Sequence, residues 1–490
     1  MMKKSLDKLT FDNSFARLPE IFFTRHQTSP LKQQHLVHFN HALADEIELD
    51  PKLDDEEKFL HQITSSQAVK AYTALAQCYA GHQFGHFVPR LGDGRAMLLG
   101  EIITSKNERW DLQLKGGGVT EYSRGGDGRA VLRSTIREYL CSEAMHGLGI
   151  PTSRALCMIG SKEEVYREQI ETAAILVRMA KSHIRFGSFE YYYYSNKHAE
   201  LKILADYVLH THFPLLTKEN NPYLALLNNV INSSASLIAQ WQSVGFCHGV
   251  MNTDNMSIHG LTIDYGPYGF LDQFNKDFVC NHSDHEGRYS YKKQPQVGLF
   301  NVSCFAQALL PLINEDANKA AELATQALGE YQNSYTQSYA DIMREKLGLV
   351  SAQKIDQVLC NELLDLMHEQ KIDYTLFFRT FSEEEQIKSR NLFLHREKFD
   401  SWFEKYRIRL AEDNISDIER SRQQKKVNPK YILRNYMAEQ AIQKAQQLDY
   451  SELNKLFEIL KDPYAELPQY EEYTGYPPDW AEKISVSCSS

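Results

Sequence analysis

The sequence lacks the marks of secreted, membrane-spanning and nucleic-acid-binding proteins. Its eight cysteines stand singly, without a Cys-x-x-Cys pair, which argues against a disulfide framework and favours a reducing compartment. No uninterrupted apolar run approaches the roughly 18 residues of a membrane span. The first residues carry charge with no apolar stretch behind them, so no secretory signal is expected. The net charge of −10 disfavours binding to a nucleic-acid backbone. We therefore expect a soluble cytoplasmic protein that binds neither membrane nor nucleic acid.

The most informative segment runs from Gly245 to Gly266. His248 precedes Asn255 by seven residues, and Asp264-Tyr265-Gly266 begins nine residues after Asn255. Protein kinases use this spacing for their catalytic loop and their metal-binding Asp-Phe-Gly. The position two after the histidine, where a kinase has its catalytic aspartate, is Val250. The segment predicts a site that binds nucleotide and metal but does not phosphorylate in the ordinary way.

Asn255 and Asp264 supply the oxygen ligands that Mg²⁺ or Mn²⁺ prefers. Asp254 is the nearest carboxylate that could replace the missing base, either by accepting a hydroxyl proton or by contacting metal-bound water. The alternative is that Asn252, Asp254 and Asn255 only form side-chain turns.

The region before this segment reads as strands followed by a helix. We predict a helix over 71–76, two strands within Phe87–Glu101 joined at Asp93-Gly94, and a third strand over Trp110–Lys115. A glycine-rich loop, 116–128, then leads into a helix over 129–146. This is the element order of a kinase small lobe.

Glycines and charged residues of this region could bind phosphate. Gly92 and Gly94 could present backbone amides to a polyphosphate with Arg95 adding charge, or could form an ordinary turn. Lys115 ends a strand, and Glu138 lies on the next helix, where a kinase Lys–Glu pair would form.

Arg178 and Arg185 flank the end of a predicted buried strand. Cations in such a place need an anion. They either pair with local acids or stabilise a departing pyrophosphate after attack at the α-phosphorus.

The helical pattern of 223–246 runs directly into His248, and the chain is helix-rich beyond about residue 300. The predicted fold class is α+β, a two-lobed protein-kinase-like fold with a helical C-terminal extension. The predicted boundaries are 1–69 for an N-terminal extension, 70–180 for the small lobe, 181–345 for the large lobe with the metal loop, and 346–490 for the extension with its cysteine-containing tail.

Long strings of the sequence resemble the selenoprotein O family of kinase-like protein adenylyltransferases over nearly the whole chain. They are Gly81–Gly85, Leu91–Arg95, Gln113–Gly116, Tyr122–Arg124, Asp127–Ala130, Ser182–Gly187, 245–270, Asn428–Tyr431 and Ser487–Ser490. The resemblance implies a kinase fold that holds ATP in a flipped pose and transfers AMP to Ser, Thr or Tyr hydroxyls of proteins, with UMP transfer and Mn²⁺ attributed to bacterial members. It also implies a bacterial, cytoplasmic member, since Cys488 stands where eukaryotic relatives often carry selenocysteine.

The resemblance further implies a role for each matched residue. Asn255 and Asp264 would be the metal ligands, Asp254 the proton acceptor and Glu138 the partner of Lys115. The implied nucleotide contacts are Gly92, Gly94, Arg95, Lys115, Asp127, Gly128, Arg178, Arg185 and Asp264.

Three further hypotheses remain open at this point. A reversible disulfide between Cys280 and Cys488 could modulate activity, or Cys488 could be an inert exposed thiol. The protein could also be a genuine kinase of a protein or small molecule, or a nucleotide-binding pseudokinase without turnover.

Overall fold

The computed structural model describes residues 3–486 and has a mixed architecture of one large antiparallel sheet and many helices. The strands within the described residues are β1 (Phe23–Arg25), β2 (His35–Phe39), β3 (Leu75–Gln77), β4 (Gly81–Gln83), β5 (His86–Val88), β6 (Ala96–Ile103), β7 (Arg109–Lys115), β8 (Ala130–Val131), β9 (Arg154–Tyr166), β10 (Ile170–Ala180), β11 (Phe246–Cys247) and β12 (Gly269–Phe270).

The helices follow mostly after the sheet. They are α1 (His41–Glu46), α2 (Glu56–Thr64), α3 (Leu132–Gly147), α4 (Phe186–Tyr194), α5 (His198–His212), α6 (Pro222–Ser243), α7 (Gln294–Ile313), α8 (Ala317–Lys346), α9 (Lys354–Gln370), α10 (Tyr374–Phe381), α11 (Arg396–Leu410), α12 (Asp417–Gln424), α13 (Asn435–Ala445) and α14 (Ser451–Lys461). Strands concentrated early and helices late agree with the predicted α+β class.

The large sheet has eight strands in the order β1-β3-β6-β7-β10-β9-β2, with β8 pairing on β10. Its pairings are antiparallel. Strands β1 and β2 come from the first 69 residues, so this segment completes both edges of the sheet. The central strands β7 and β10 bring Lys115 and Arg178 to the same sheet, with Lys115 opposite Leu176 and Arg178 opposite Gln113.

Two of the predicted elements are wrong. Residues 71–76 do not form a helix, because Leu75–Gln77 is a fully buried strand, and a short apolar run buried on both faces has no period that separates strand from helix. The predicted hairpin at Asp93-Gly94 is also absent. Strand β5 pairs with β4, whereas β6 pairs with β3 and β7. Asp93 instead accepts a hydrogen bond from the Gln77 amide at 3.1 Å, which fixes the segment as a connection.

The strand over Trp110–Lys115 and the helices at 129–146 and 223–246 are confirmed as β7, α3 and α6. Helix α6 begins where the Asn221 side chain accepts from the Leu224 amide, with Pro222 in its first turn. It ends just before the 245–270 segment and so fixes where that segment starts. Its apolar face packs against α7 and α8.

Helix α7 is unusually apolar. Together with the preceding turn, Tyr291–Ile313 is long and apolar enough to cross a membrane by length and composition. However, 56% of its most apolar window is buried inside the protein, and it packs against α4, α6 and α8. The helix is therefore part of a core between helices.

Helix α3 lies between the large sheet and the last helices of the chain. Tyr139 of α3 stacks on Phe457 of α14 with ring centroids 5.5 Å apart, and the Arg137 guanidinium donates to Asn435 of α13. The contact is close enough that a Cβ at Gly147 would lie 2.0 Å from the Leu460 carbonyl oxygen. The C-terminal helices thus fix the helix that carries Glu138.

Candidate active site

A cavity of about 460 Å³ opens between the sheet and the 245–270 segment. Ten of the predicted site residues line it: Gly92, Gly94, Arg95, Lys115, Asp127, Gly128, Arg178, Arg185, Asn255 and Asp264. Two do not line it. Glu138 lies behind Lys115 and Arg178, and Asp254 lies beneath a neighbouring hairpin.

The lining of the cavity is strongly cationic. Its seven cations are Arg95, Lys115, Arg124, Arg129, Arg167, Arg178 and Arg185, and its three carboxylates are Asp93, Asp127 and Asp264. Arg95 and Arg124 form no ion pair with any carboxylate of residues 3–486. An excess of positive charge in a concave site attracts anions such as a polyphosphate.

Glu138 joins the two central strands through their cations. Its Oε2 accepts from Lys115 Nζ, and its Oε1 accepts from Arg178 Nε at 2.5 Å. All three side chains are at least 90% buried. Burial and the neighbouring Arg178 lower the pKa of Lys115 to about 8, while Glu138 opposes this shift. Removing one member of such a buried group leaves an uncompensated charge, so the three residues act together.

Asp264 is the point at which both arginines meet. Arg178 Nη2 donates to its Oδ1 at 2.5 Å, and Arg185 Nη1 donates to its Oδ2. Burial opposes ionisation of this carboxyl, but Arg178, Arg185 and Lys115 hold its pKa well below the usual range. Its backbone has φ of +59°, a left-handed conformation that Asp and Asn tolerate better than other non-glycine residues. Backbone strain of this kind is typical of functional positions.

The donor chemistry of Asn255 and Asp264 fits a hard divalent cation. Asn255 Nδ2 donates to the Val250 carbonyl at 3.0 Å, which leaves the Oδ1 end of the amide as a ligand. Asp264 presents two carboxylate oxygens at the cavity wall. An amide oxygen and a carboxylate beside a phosphate site match what Mg²⁺ or Mn²⁺ prefers.

Asp254 is almost fully buried, and its carboxylate is covered by the β4–β5 hairpin. Gln83 Nε2 lies 3.4 and 3.3 Å from its two oxygens, and a Cβ on Gly81 would lie 2.7 Å from Oδ1. Burial raises the pKa of Asp254 to about 7, although Arg185 lowers it. The backbone carbonyl of Asp254 accepts from Arg185 Nη1 at 2.7 Å, which links this residue to the cavity wall.

The β4–β5 hairpin is also anchored to the 245–270 segment through His82. The His82 amide donates to Thr253 Oγ1 at 2.7 Å, and that hydroxyl donates to Glu190 Oε2 at 2.6 Å. The other oxygen of Glu190 lies 3.0 Å from His82 Nδ1. These contacts hold Thr253, and therefore Asp254, in place.

The glycines of the cavity serve close packing. Gly92 has φ of +92°, and a Cβ there would lie 2.3 Å from the ring of Tyr122. The amides of Asp93 and Gly94 already donate to Gln77 and Gly92 carbonyls at 3.0 and 2.8 Å. The turn therefore brings Arg95 to the cavity, while the amides of Asp93 and Gly94 are engaged within the protein.

Several residues in or beside the cavity had no prediction from their own pattern. Arg167 comes from the β9–β10 connection and forms a two-bonded ion pair with Asp127, at 2.8 and 2.9 Å. Gln83 contacts Asp254 across 171 positions of the sequence. Arg124 was signalled only by the string Tyr122–Arg124.

Cys280 is a buried thiol whose Sγ lies 2.8 Å from the Pro267 carbonyl. Burial and the neighbouring Cys247 raise its pKa well above the usual range. Its suggested partner, Cys488, lies outside the described residues, so the disulfide stays a prediction.

Comparison with known proteins identifies the family of this chain. The sequence profile of the family described as "Protein adenylyltransferase SelO" matches residues 5–461. A protein nucleotidyltransferase YdiU of Thioalkalivibrio sulfidiphilus is 52% identical over 489 residues, which cover 99% of each chain. Proteins of the same name from Myxococcus xanthus and Pseudomonas fluorescens (strain SBW25) are 48% identical over 492 residues, covering 99% of this chain and 100% of theirs. The chain therefore belongs to the SelO family of protein adenylyltransferases, and it is an enzyme of the nucleotidyltransferase class.

Proposed function

We propose that the enzyme transfers AMP from ATP to a side-chain hydroxyl of a protein, with the reaction taking place in the cationic cavity. The observation that carries this proposal is the cavity lining, which contains seven cations but only three carboxylates. Asp264 is one of these carboxylates, and Asn255 lines the same cavity. A triphosphate is the nucleotidyl donor whose charge such a lining balances.

The triphosphate lies among the cations of the two central strands and the surrounding loops. Arg95, Lys115, Arg178 and Arg185 neutralise its oxygens, and Asp127 and Gly128 are further nucleotide contacts in the lining of the cavity. Lys115 and Arg178 are held in place by Glu138. Preorganised charges of this kind stabilise the charge that develops on a leaving pyrophosphate.

Asn255 and Asp264 would hold Mg²⁺ or Mn²⁺. When bound, this cation would act as a Lewis acid and neutralise phosphate charge. The arginines that contact Asp264 keep its carboxylate ionised and oriented at the cavity wall.

The acceptor hydroxyl attacks the α-phosphorus. The new bond joins the hydroxyl oxygen to that phosphorus, the bond from phosphorus to the bridging oxygen breaks, and pyrophosphate leaves. The hydroxyl proton passes to the Asp254 carboxylate, whose neighbour Gln83 orients it. Val250 occupies the place of a kinase base and has no group that accepts a proton.

The finer structural predictions are part of the same proposal. The proposed arrangement is protein-kinase-like, with boundaries near 69, 180 and 345. Residues 1–69 extend the small lobe by supplying both edge strands of its sheet, and a large helical lobe and a C-terminal extension follow. The Lys115–Glu138 pair between a strand and the next helix supports it. The acceptors would be Ser, Thr or Tyr, UTP could replace ATP as donor, and the enzyme would act in the bacterial cytoplasm.

Labelled ATP tests the reaction directly. Purified enzyme is incubated with a protein mixture and with ATP labelled at either the α- or the γ-phosphate. Protein-bound label is expected from the α-phosphate alone, with release of pyrophosphate. Label from the γ-phosphate alone would identify a kinase, and nucleotide binding without pyrophosphate release would identify a non-catalytic scaffold. Intact-mass measurement after incubation with ATP or UTP then separates addition of AMP from addition of UMP.

A further inference from the structure

A second concavity, of about 670 Å³, lies beside the β4–β5 hairpin. One wall is the hairpin tip with Phe84 and His86, and the other is formed by residues 283–288 and the first turns of α7. We call this concavity the acceptor groove. It shares none of its lining residues with the cationic cavity.

The groove is connected to Asp254 through two consecutive residues of the hairpin. The Gln83 side chain contacts the Asp254 carboxylate. The next amide, that of Phe84, donates to the Tyr289 hydroxyl at 2.8 Å, and this hydroxyl donates to Asn252 Oδ1 at 2.6 Å. A ligand in the groove therefore lies next to the residues that position the proposed proton acceptor.

Two cations of the groove have no acidic partner. Arg288 and Lys293 line it, and neither forms an ion pair with a carboxylate in the part of the chain that the structure describes. The Arg288 guanidinium lies 4.9 Å from the centre of the Phe300 ring, and its buried Nε has no hydrogen-bond partner among the same residues. A partly desolvated cation without a counter-charge is costly unless a ligand supplies the anion.

The nearby carboxylates do not meet this need. Asp284 accepts from the backbone amides of Arg288 and Tyr289 at 2.9 and 2.8 Å, so it is used to shape the loop. Glu286 is exposed at the rim. On the opposite wall, Gly85 allows the hairpin to approach Arg288, since a Cβ there would lie 3.0 Å from Arg288 Cζ.

We propose that this groove binds the segment of the acceptor protein that carries the target hydroxyl, and that Arg288 and Lys293 select an acidic side chain close to that hydroxyl. Phe84, which is 38% exposed, and Phe300 supply the apolar surface for the neighbouring residues of the segment. The inference rests on the proposed function and adds a substrate preference to it. The groove volume suits a few extended residues, and its unpaired cations complement Asp or Glu.

Paired peptide pools test the preference. Each peptide carries one Tyr or Ser, flanked by Asp and Glu in one pool and by Asn and Gln in the other, and transfer from α-labelled ATP is measured. The wild-type enzyme is expected to modify the acidic pool at least about tenfold faster, because a charge-assisted contact in a partly buried site is worth this much. Arg288→Gln should remove most of this preference, and Arg288→Glu should favour a third pool flanked by Lys.

The matched control is Lys292→Gln. Lys292 neighbours Lys293 in sequence but is exposed, pairs with Asp277 and does not line the groove, so the acidic preference should survive. All variants should melt cooperatively as folded proteins and keep the wild-type increase in melting temperature on addition of ATP with Mn²⁺.

The outcomes separate the two proposals. Equal modification of the acidic and neutral pools overturns the acceptor groove. So does an acidic preference that persists in Arg288→Gln, or failure to modify any peptide by enzyme that labels intact proteins. By contrast, absence of α-label on every protein and peptide, with no pyrophosphate released, overturns the proposed function itself.

Discussion

Replacing Asp264 tests whether its carboxylate serves catalysis or only holds the fold together. Its oxygens accept from Arg178 and Arg185, but each arginine has another partner: Glu138 for Arg178 and the Asp254 carbonyl for Arg185. The cost of Asp264→Asn should therefore stay below the roughly 3–5 kcal/mol of stripping a buried ion pair. We expect about 1–3 kcal/mol, since Asn keeps one acceptor oxygen.

Asp264→Ala adds backbone strain to the loss of both acceptor oxygens. At φ of +59° Asn is tolerated, whereas Ala adds about 1 kcal/mol of strain. Denaturant unfolding should thus rank wild type above Asp264→Asn and Asp264→Ala last. Asp277→Asn, which changes an exposed carboxylate paired with Lys292, is the matched control and should be nearly neutral.

Activity should respond far more strongly than stability. Transfer from α-labelled ATP should fall by at least roughly 10²–10³-fold in both variants. Metal-free binding of ATP, measured by calorimetry in EDTA, should be retained or tightened, because a carboxylate that repels phosphate is gone and two guanidiniums are released. A folded Asp264→Asn enzyme that transfers label at the wild-type rate would refute the assigned role, and loss of metal-free ATP binding would contradict the charge argument.

Three further substitutions test the role of single residues. Glu138→Gln should lower transfer by at least about tenfold while the protein stays folded, because Lys115 loses its counter-charge, and labelled ATP measures this. Gly92→Ala should destabilise the protein by about 2 kcal/mol or more in denaturant unfolding, since its φ is +92° and the new Cβ meets the ring of Tyr122. Burial lowers the pKa of Lys346 to about 7. The unfolded chain therefore binds its proton more tightly between pH 7 and about 10, and wild-type stability should rise by about 2–3 kcal/mol from pH 7 to 9 relative to Lys346→Met. If the stability of the two proteins changed with pH in parallel, the pKa of Lys346 would not be lowered in the folded protein.

Contiguous patterns predicted those parts of the site that lie on single elements. Spacing and alternation alone predict Lys115 at the end of β7, Glu138 on α3 and the segment from His248 to Asp264. The helix predicted over 71–76 is wrong because a short buried run has no diagnostic period. Within 87–101 the two predicted strands are present as β5 and β6, but they do not pair, because an Asp-Gly pair does not by itself make a hairpin.

Contacts between distant positions could not be predicted in this way. The cover of Asp254 by Gln83 and the stacking of Phe457 on Tyr139 depend on tertiary packing, which no local pattern encodes. For the same reason the sequence pattern did not predict the acceptor groove. A hairpin and a loop about 200 residues apart form this groove.

The packing of α3 against α13 and α14 has a consequence for the order of synthesis. Phe457 and Leu460, which cover α3, are made more than 300 residues after Tyr139. Until they have been made, the apolar face of the helix that carries Glu138 lacks its native cover.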